Sequence, residues 1–204
     1  METEDNLIAS KFEEWTKGKD PKEARISVFE HIRDIPYAIV PSLRDPAAGP
    51  SGLLKLCKGS CVPKHFLLGT MFGMLGISVK YATYTFSWDD PGVKYPPDLR
   101  ALVKKMPITG HLACKALIDG RWVLVDATWD RPLAKAGFPV NERWDGVSDT
   151  ANAVKYIKET VHESLEERIE YDGAVRGAFT AGEKAAYGEF IRRLNPWLDK
   201  IRGR

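Results

Sequence analysis

Lys58-Gly59-Ser60-Cys61-Val62-Pro63-Lys64-His65-Phe66-Leu67-Leu68-Gly69-Thr70-Met71-Phe72-Gly73-Met74-Leu75-Gly76-Ile77 is the stretch from which the rest of the chain can be read. Small residues at 59 and 60 make a turn into an apolar helix, and Gly76 closes that helix before a strand. No charged side chain occurs from Phe66 to Val79, so the helix is expected to be buried on nearly all sides. Pro63 fits only a first helical turn, where its missing N–H costs little. Cys61 therefore stands at the helix start, where unpaired backbone N–H groups and the positive dipole end favour an anion. A thiolate, the reactive form of cysteine, is stabilised there. Cys61 is a candidate nucleophile, although a cysteine taken alone reads more simply as a small buried hydrophobe.

Upstream, Leu7, Ile8, Phe12 and Trp15 recur at helical spacing. Asp20-Pro21 reads as an N-cap and first helical position, with Glu23 at the third. The helix they open carries Val28, Phe29 and Ile32 inward and stops near Ile35-Pro36. Residues 36–52, with four prolines and two glycines, read as a long ordered loop that helps to shape a site. Downstream, Ile77 to Trp88 is a strand by its β-branched and aromatic content. A short helix is expected near 98–105. Beyond 132 the chain is irregular to about 149. Val154, Ile157, Val161, Leu165 and Ile169 then predict an amphipathic helix over 150–170. Thr180 and Glu183 form a capping box for a last helix.

Composition narrows the classes. A length of 204 residues suits one domain, and 44% hydrophobic residues allow a sizeable core. Thirty basic against 28 acidic residues give no electrostatic reason to expect nucleic acid or a membrane as partner. The acidic start Met1–Asp5 lacks the basic and apolar parts of a secretory signal, and the run at 66–79 is too short to span a bilayer. Three cysteines in a chain of this size fit a reducing cytoplasm. A cytoplasmic protein is expected.

The chemistry gathers around a hairpin. His111 to Ile118 and Arg121 to Ala127 flank the tight turn Asp119-Gly120, so facing residues have numbers summing to roughly 239. Leu112, Cys114 and Ala116 face one way, and His111, Ala113 and Lys115 the other. His111 then lies near residue 128, with Asp126 a diagonal neighbour on the same face and within reach. A cysteine nucleophile needs a base that later returns the proton, and imidazole suits both roles. The ring needs an acceptor on its far nitrogen, which a carboxylate provides. Cys61, His111 and Asp126 are the candidate catalytic set.

These residues resemble the transglutaminase-like superfamily. Gly59-Ser60-Cys61, Lys64, the apolar helix and Leu75-Gly76-Ile77 are similar to its nucleophile segment. His111, followed by Gly120-Arg121-Trp122-Val123-Leu124-Val125-Asp126-Ala127-Thr128, is similar to its histidine strand and its tryptophan–valine–aspartate–threonine strand. The helix ending Ile35-Pro36-Tyr37 also fits. The resemblance covers about residues 22–130. It implies an α+β papain/transglutaminase-like core, with a central helix packed on an antiparallel sheet and flanking N- and C-terminal helices. It also implies a Cys61–His111–Asp126 triad. Members often carry an aromatic residue two after the histidine and an acidic one two further on, and here Ala113 and Lys115 stand there. His65 occupies a usually small position. Residues 133–204, a mainly helical C-terminal part of the same domain, lie outside the resemblance.

The expected activity is cysteine-dependent acyl transfer on a peptide or protein substrate through a thioester. The enzyme is then a protease or amidase if water accepts the acyl group, or a transglutaminase-type transferase if an amine does. Hydrolysis is favoured, and no cofactor is implied. The alternative is a non-catalytic peptide- or protein-binding module on the same fold. Cys57, Cys61 and His65 have soft-metal character, but they lack a fourth ligand in the pattern, so no metal is expected. Trp122 and Trp129 read as packing residues, and Thr128 as a strand or turn residue.

Overall fold

The computed structural model describes residues 4–204; Met1–Thr3, part of the acidic start, lie outside the described residues. In order come α1 (Glu4–Thr16), α2 (Pro21–Asp34), a 3-10 turn (Pro41–Arg44), α3 (Gly49–Leu56) and α4 (Cys61–Met74). Then follow β1 (Val79–Phe86), α5 (Pro97–Val103), β2 (Thr109–Ile118), β3 (Arg121–Val125) and a second 3-10 turn (Arg131–Ala136). β4 (Tyr156–His162), α6 (Leu165–Gly177) and α7 (Ala181–Arg202) complete the chain. The fold is α+β, with α4 packed centrally on an antiparallel four-stranded sheet of order β3-β2-β1-β4.

Local chemistry accounts for most of these elements. Asp20 and Glu23 bond each other's backbone N–H, closing the capping box of α2. Asp119 and Gly120 both take positive φ, 50° and 76°, which a two-residue hairpin turn of this hand requires. The turn sets the register, pairing Cys114 with Val125 and Ile118 with Arg121. Gly69 lets β1 approach α4, because a Cβ there would run into Tyr81.

Two apolar clusters flank the sheet. One joins Val28, Phe29 and Ile32 of α2 to Leu67, Met71 and Phe72 of α4, over Cys114 and Ala116 of β2. The other joins Tyr37, Trp88 and Trp129 to Phe190, Leu194 and Leu198 of α7. Those last three side chains are fully buried. Residues 133–204 thus supply both β4 and a share of the second core.

Three expectations are corrected. The stretch 36–52 is not all loop: Pro41 opens the first 3-10 turn, and Gly49-Pro50 opens α3 with proline in its first turn. No helix spans 150–170. Tyr156–His162 instead pairs with β1 as β4, and Ser164 caps a new helix by accepting from the Glu167 N–H. α4 is buried throughout Cys61–Leu68, but Thr70, Gly73 and Met74 are exposed. The second half of that helix is amphipathic, with Met71 and Phe72 still fully buried in the first core.

No helix among the described residues is long and apolar enough to cross a membrane.

Candidate active site

Cys61 is the first residue of α4, and the N-cap Ser60 makes no side-chain capping bond. The first-turn N–H groups are therefore not claimed by the cap, and the positive end of the helix dipole lies at the thiol. The first turn is seated against the chain leaving β3. Lys64, fully buried, donates from Nζ to the carbonyls of Arg33 (2.9 Å), Thr128 (2.8 Å) and Ala127 (3.4 Å). It thereby ties the C-terminal end of α2 and the end of the hairpin to α4. Burial pushes the Lys64 amine down to about 7 against the pull of Asp130 and Asp34.

His65 makes a second tie. Its Nε2 accepts the Ala127 N–H at 3.1 Å and its Nδ1 meets the Cys61 carbonyl oxygen at 2.8 Å. The first bond requires a bare Nε2, so the proton sits on Nδ1 and donates to Cys61. Burial, which lowers this histidine to about 4, keeps the ring neutral in that tautomer. With both nitrogens engaged, His65 has none left for a metal. Cys57, the other residue weighed as a ligand, is exposed at the left-handed C-cap of α3. Among the described residues, no group of three or more His, Cys, Asp or Glu side chains is placed to hold an ion.

His111 and Asp126 share a sheet face, as the hairpin arithmetic requires. His111 Nε2 lies 2.8 Å from Asp126 Oδ2, with the ring 2% and the carboxylate 1% exposed. The Cys61 thiol lines the same cavity as this ring and interacts with it electrostatically. Since Nε2 is taken by Asp126, Nδ1 is the ring nitrogen left to serve the sulfur. Asp126 Oδ2 also accepts from the Ala153 N–H at 2.8 Å, and Oδ1 from the Thr128 hydroxyl at 2.7 Å and its N–H at 3.2 Å. A carboxylate with four donors stays ionised and does not rotate.

The charges follow from these contacts. Burial opposes ionisation of Asp126, but the His111 imidazolium, then His65 and Thr128, hold it well below the usual carboxylate range. Burial disfavours a charged His111, yet Asp126 and then Cys61 raise it to about 10. Burial likewise opposes a Cys61 thiolate, and the hydrogen bond and charge of His111, with the Leu112 N–H, bring the thiol below its ordinary value. Cys114 has no such neighbour, and burial pushes it well up. A thiolate facing an imidazolium is the species this arrangement favours.

The cavity over Cys61 has room for about 30 Å³ of solvent, one or two waters. Its walls include Tyr37, Trp88, Trp129, Arg44, Arg176 and Tyr187. Trp88 Nε1 and Thr109 Oγ1, both on lining residues, are buried without a hydrogen-bond partner. Sequence reasoning gave Thr128 no role and did not find Ala153, Arg44 or Arg176. Thr128 had a signal, standing two residues past Asp126 where its side chain returns to the same side. The other three come from the 3-10 turn and from beyond residue 133, where no motif marks them. Trp129, read as packing, both packs and lines the cavity.

No protein-family model matches the sequence, and no curated protein does. Among solved structures, a candidate cysteine protease from Cytophaga hutchinsonii aligns with a TM-score of 0.43 at 16% identity. The alignment covers 78% of this chain and 50% of that one. The chain thus spans about half the length of that protein, and a likeness of this degree settles neither family nor activity.

Proposed function

We propose that the protein is a transglutaminase-like cysteine enzyme that transfers an acyl group from an amide substrate, a peptide or protein, through a thioester on Cys61. One observation carries the reading: the buried hydrogen bond between His111 and Asp126, with Cys61 lining the same small cavity as the ring. The thiolate adds to the carbonyl carbon, and the C=O pair moves onto oxygen. The Cys61 N–H at the helix start is placed to stabilise that oxyanion. As the C–N bond breaks, His111 gives its proton to the leaving amine. His111 then takes a proton from water, whose oxygen attacks the thioester and releases a carboxylic acid and the thiol. An amine in place of water would give a new amide. Of the two acceptors, water is the one this reading favours. Asp126 keeps the ring's orientation throughout. Three free thiols are consistent with a reducing, cytoplasmic setting.

The test is alkylation by iodoacetamide at about pH 6, where an ordinary thiol near 8.5 is almost wholly protonated. Cys61 is expected to react at least about tenfold faster than Cys57, although Cys57 is the exposed one. His111→Ala should erase the difference. If peptide mapping shows Cys57 labelled first in folded protein, a non-catalytic binding module takes over as the better reading.

A further inference from the structure

Next to Cys61 the cavity wall turns from aromatic to cationic. Arg44, from the first 3-10 turn, and Arg176, from α6, both line the cavity into which Cys61 opens. Arg168, two turns before Arg176 on α6, has a side chain only 3% exposed and lies within electrostatic reach of Cys61. Among the described residues these three guanidinium groups share the carboxylate of Asp172, at 3.9 Å from Arg44, 3.5 Å from Arg168 and 2.9 Å from Arg176. Arg44 also donates to the Tyr187 hydroxyl at 2.9 Å. Three cations against one carboxylate leave positive charge uncompensated beside the cavity over Cys61. Two guanidinium nitrogens of this cluster are buried without a hydrogen-bond partner: Arg168 Nε, on a residue outside the cavity lining, and Arg44 Nη1, which faces Asp172 only at the 3.9 Å of an ion pair. A cluster serving only to pack α6 onto the core would not leave such donors unpaired, because burying them unsatisfied is costly. A planar fork of N–H donors is the geometry that accepts a carboxylate.

We propose that Arg44, Arg168 and Arg176 form an anion subsite, and that the enzyme selects acyl donors carrying a carboxylate beside the carbonyl that Cys61 attacks. Asp172 holds the subsite in the absence of substrate, and the incoming carboxylate takes up the donors Asp172 leaves unused. This deepens the reading of Cys61 as a nucleophile and rests on it.

Two small reagents separate the ideas, because iodoacetate carries a carboxylate and iodoacetamide does not. In the full chain, the ratio of iodoacetate to iodoacetamide rate constants at Cys61 is expected to exceed that of N-acetylcysteine amide by about tenfold or more, and to fall as salt is raised. Arg44→Gln and Arg176→Gln change partly exposed side chains and spare the buried Arg168, so circular dichroism should show both folded. Each is expected to lower the ratio severalfold, and Asp172→Asn to raise it. A wild-type ratio equal to that of the free thiol overturns the subsite while leaving the thiolate reading intact. A raised ratio that neither arginine variant changes also overturns it, assigning the attraction to the His111 imidazolium alone. Failure of both reagents to modify Cys61 overturns the nucleophile reading and this inference with it. Protection of Cys61 by N-acetylglutamate α-amide would identify an acidic side chain as the carboxylate, and protection by N-acetylalanine a chain terminus. Protection by neither counts against the subsite.

Discussion

The thiol at position 61 and the imidazole at position 111 are shifted in opposite directions, so their contributions to stability respond to pH with opposite sign. Near neutral pH the unfolded chain holds the proton on sulfur, whereas folding favours it on His111. Between about 6.5 and about 8.5, the ordinary pKa values of the two groups, the raised imidazole loses stability as pH rises and the lowered thiol acts against that loss. Above 8.5 the unfolded cysteine loses its proton while folded His111, raised to about 10, keeps its own, so stability falls as pH rises toward 10. As pH falls through the lowered Cys61 pKa, the share of stability that the thiolate contributes is lost. The difference in urea unfolding free energy between wild type and the Cys61→Ala/His111→Ala double variant should therefore shrink from about pH 8.5 toward pH 10. A difference rising steadily from pH 7 to 10 would mean that His111 is not held charged. Lys64 and His65 titrate with the opposite tendency, since burial lowers both, and subtracting the double variant removes their share.

Among the elements, α4 depends on side chains that look unremarkable in sequence. Lys64 holds three carbonyls, one of them at the end of α2 where the helix has no partner for it. Lys64→Met keeps the volume and strands those carbonyls, which should cost about 3 kcal/mol in chemical denaturation. A loss under about 0.5 kcal/mol would mean that water replaces the amine easily. How legible an element was followed from how local its cause is. The register of the β2–β3 hairpin could be read to the residue because Asp119-Gly120 admits one turn geometry and the pleat then assigns faces, which brought His111 to Asp126; the strand ends could not, since β2 begins two residues before His111 and β3 stops at Val125, short of Ala127. The Cys61 helix start was legible for the same reason, from Pro63 and the turn before it. β4 was misread because Val154, Ile157, Val161, Leu165 and Ile169 satisfy a helical stripe, yet Ile157 is 67% and Ile169 44% exposed. The stripe faces no single core: Val154 and Leu165 pack against different clusters and the rest point outward or pair in the sheet. The better signals were the β-branched and aromatic content of 156–161 and the Ser164–Glu167 cap that restarts the chain. Lys64 and His65 escaped a role because their partners are backbone groups distant in sequence, which no pattern displays.

At the scale of the molecule, the C-terminal helix closes the fold. Arg202 donates to both oxygens of Asp130, at 2.8 and 2.7 Å, and to the Tyr37 carbonyl at 2.9 Å. Asp130 in turn accepts the Tyr37 N–H at 2.8 Å, and Asn195 pairs with the backbone of Ile39 through both its oxygen and its nitrogen. The last turns of α7 thus hold the segment from which Tyr37 and Ile39 line the cavity. A chain ending at Gly177 would lose this clamp and the buried Phe190, Leu194 and Leu198. Large side chains deleted from a core cost about 2–5 kcal/mol each, so the shortened protein should fail to unfold cooperatively on heating. A sharp calorimetric transition from it would show that the first core stands alone. The opposite rim of the molecule has a consequence for its handling. β4 is the outer strand of the sheet, and along it Tyr156 and Ile157 are exposed, 51% and 67%, interrupted by Lys158 and Glu159. An open strand edge is a template for another chain, and charge is what discourages pairing there. In a concentrated stock this is where one copy can mistake a second for its own next strand, and neutralising Lys158 would be an ill-chosen change for anyone wishing to crystallise or store the protein.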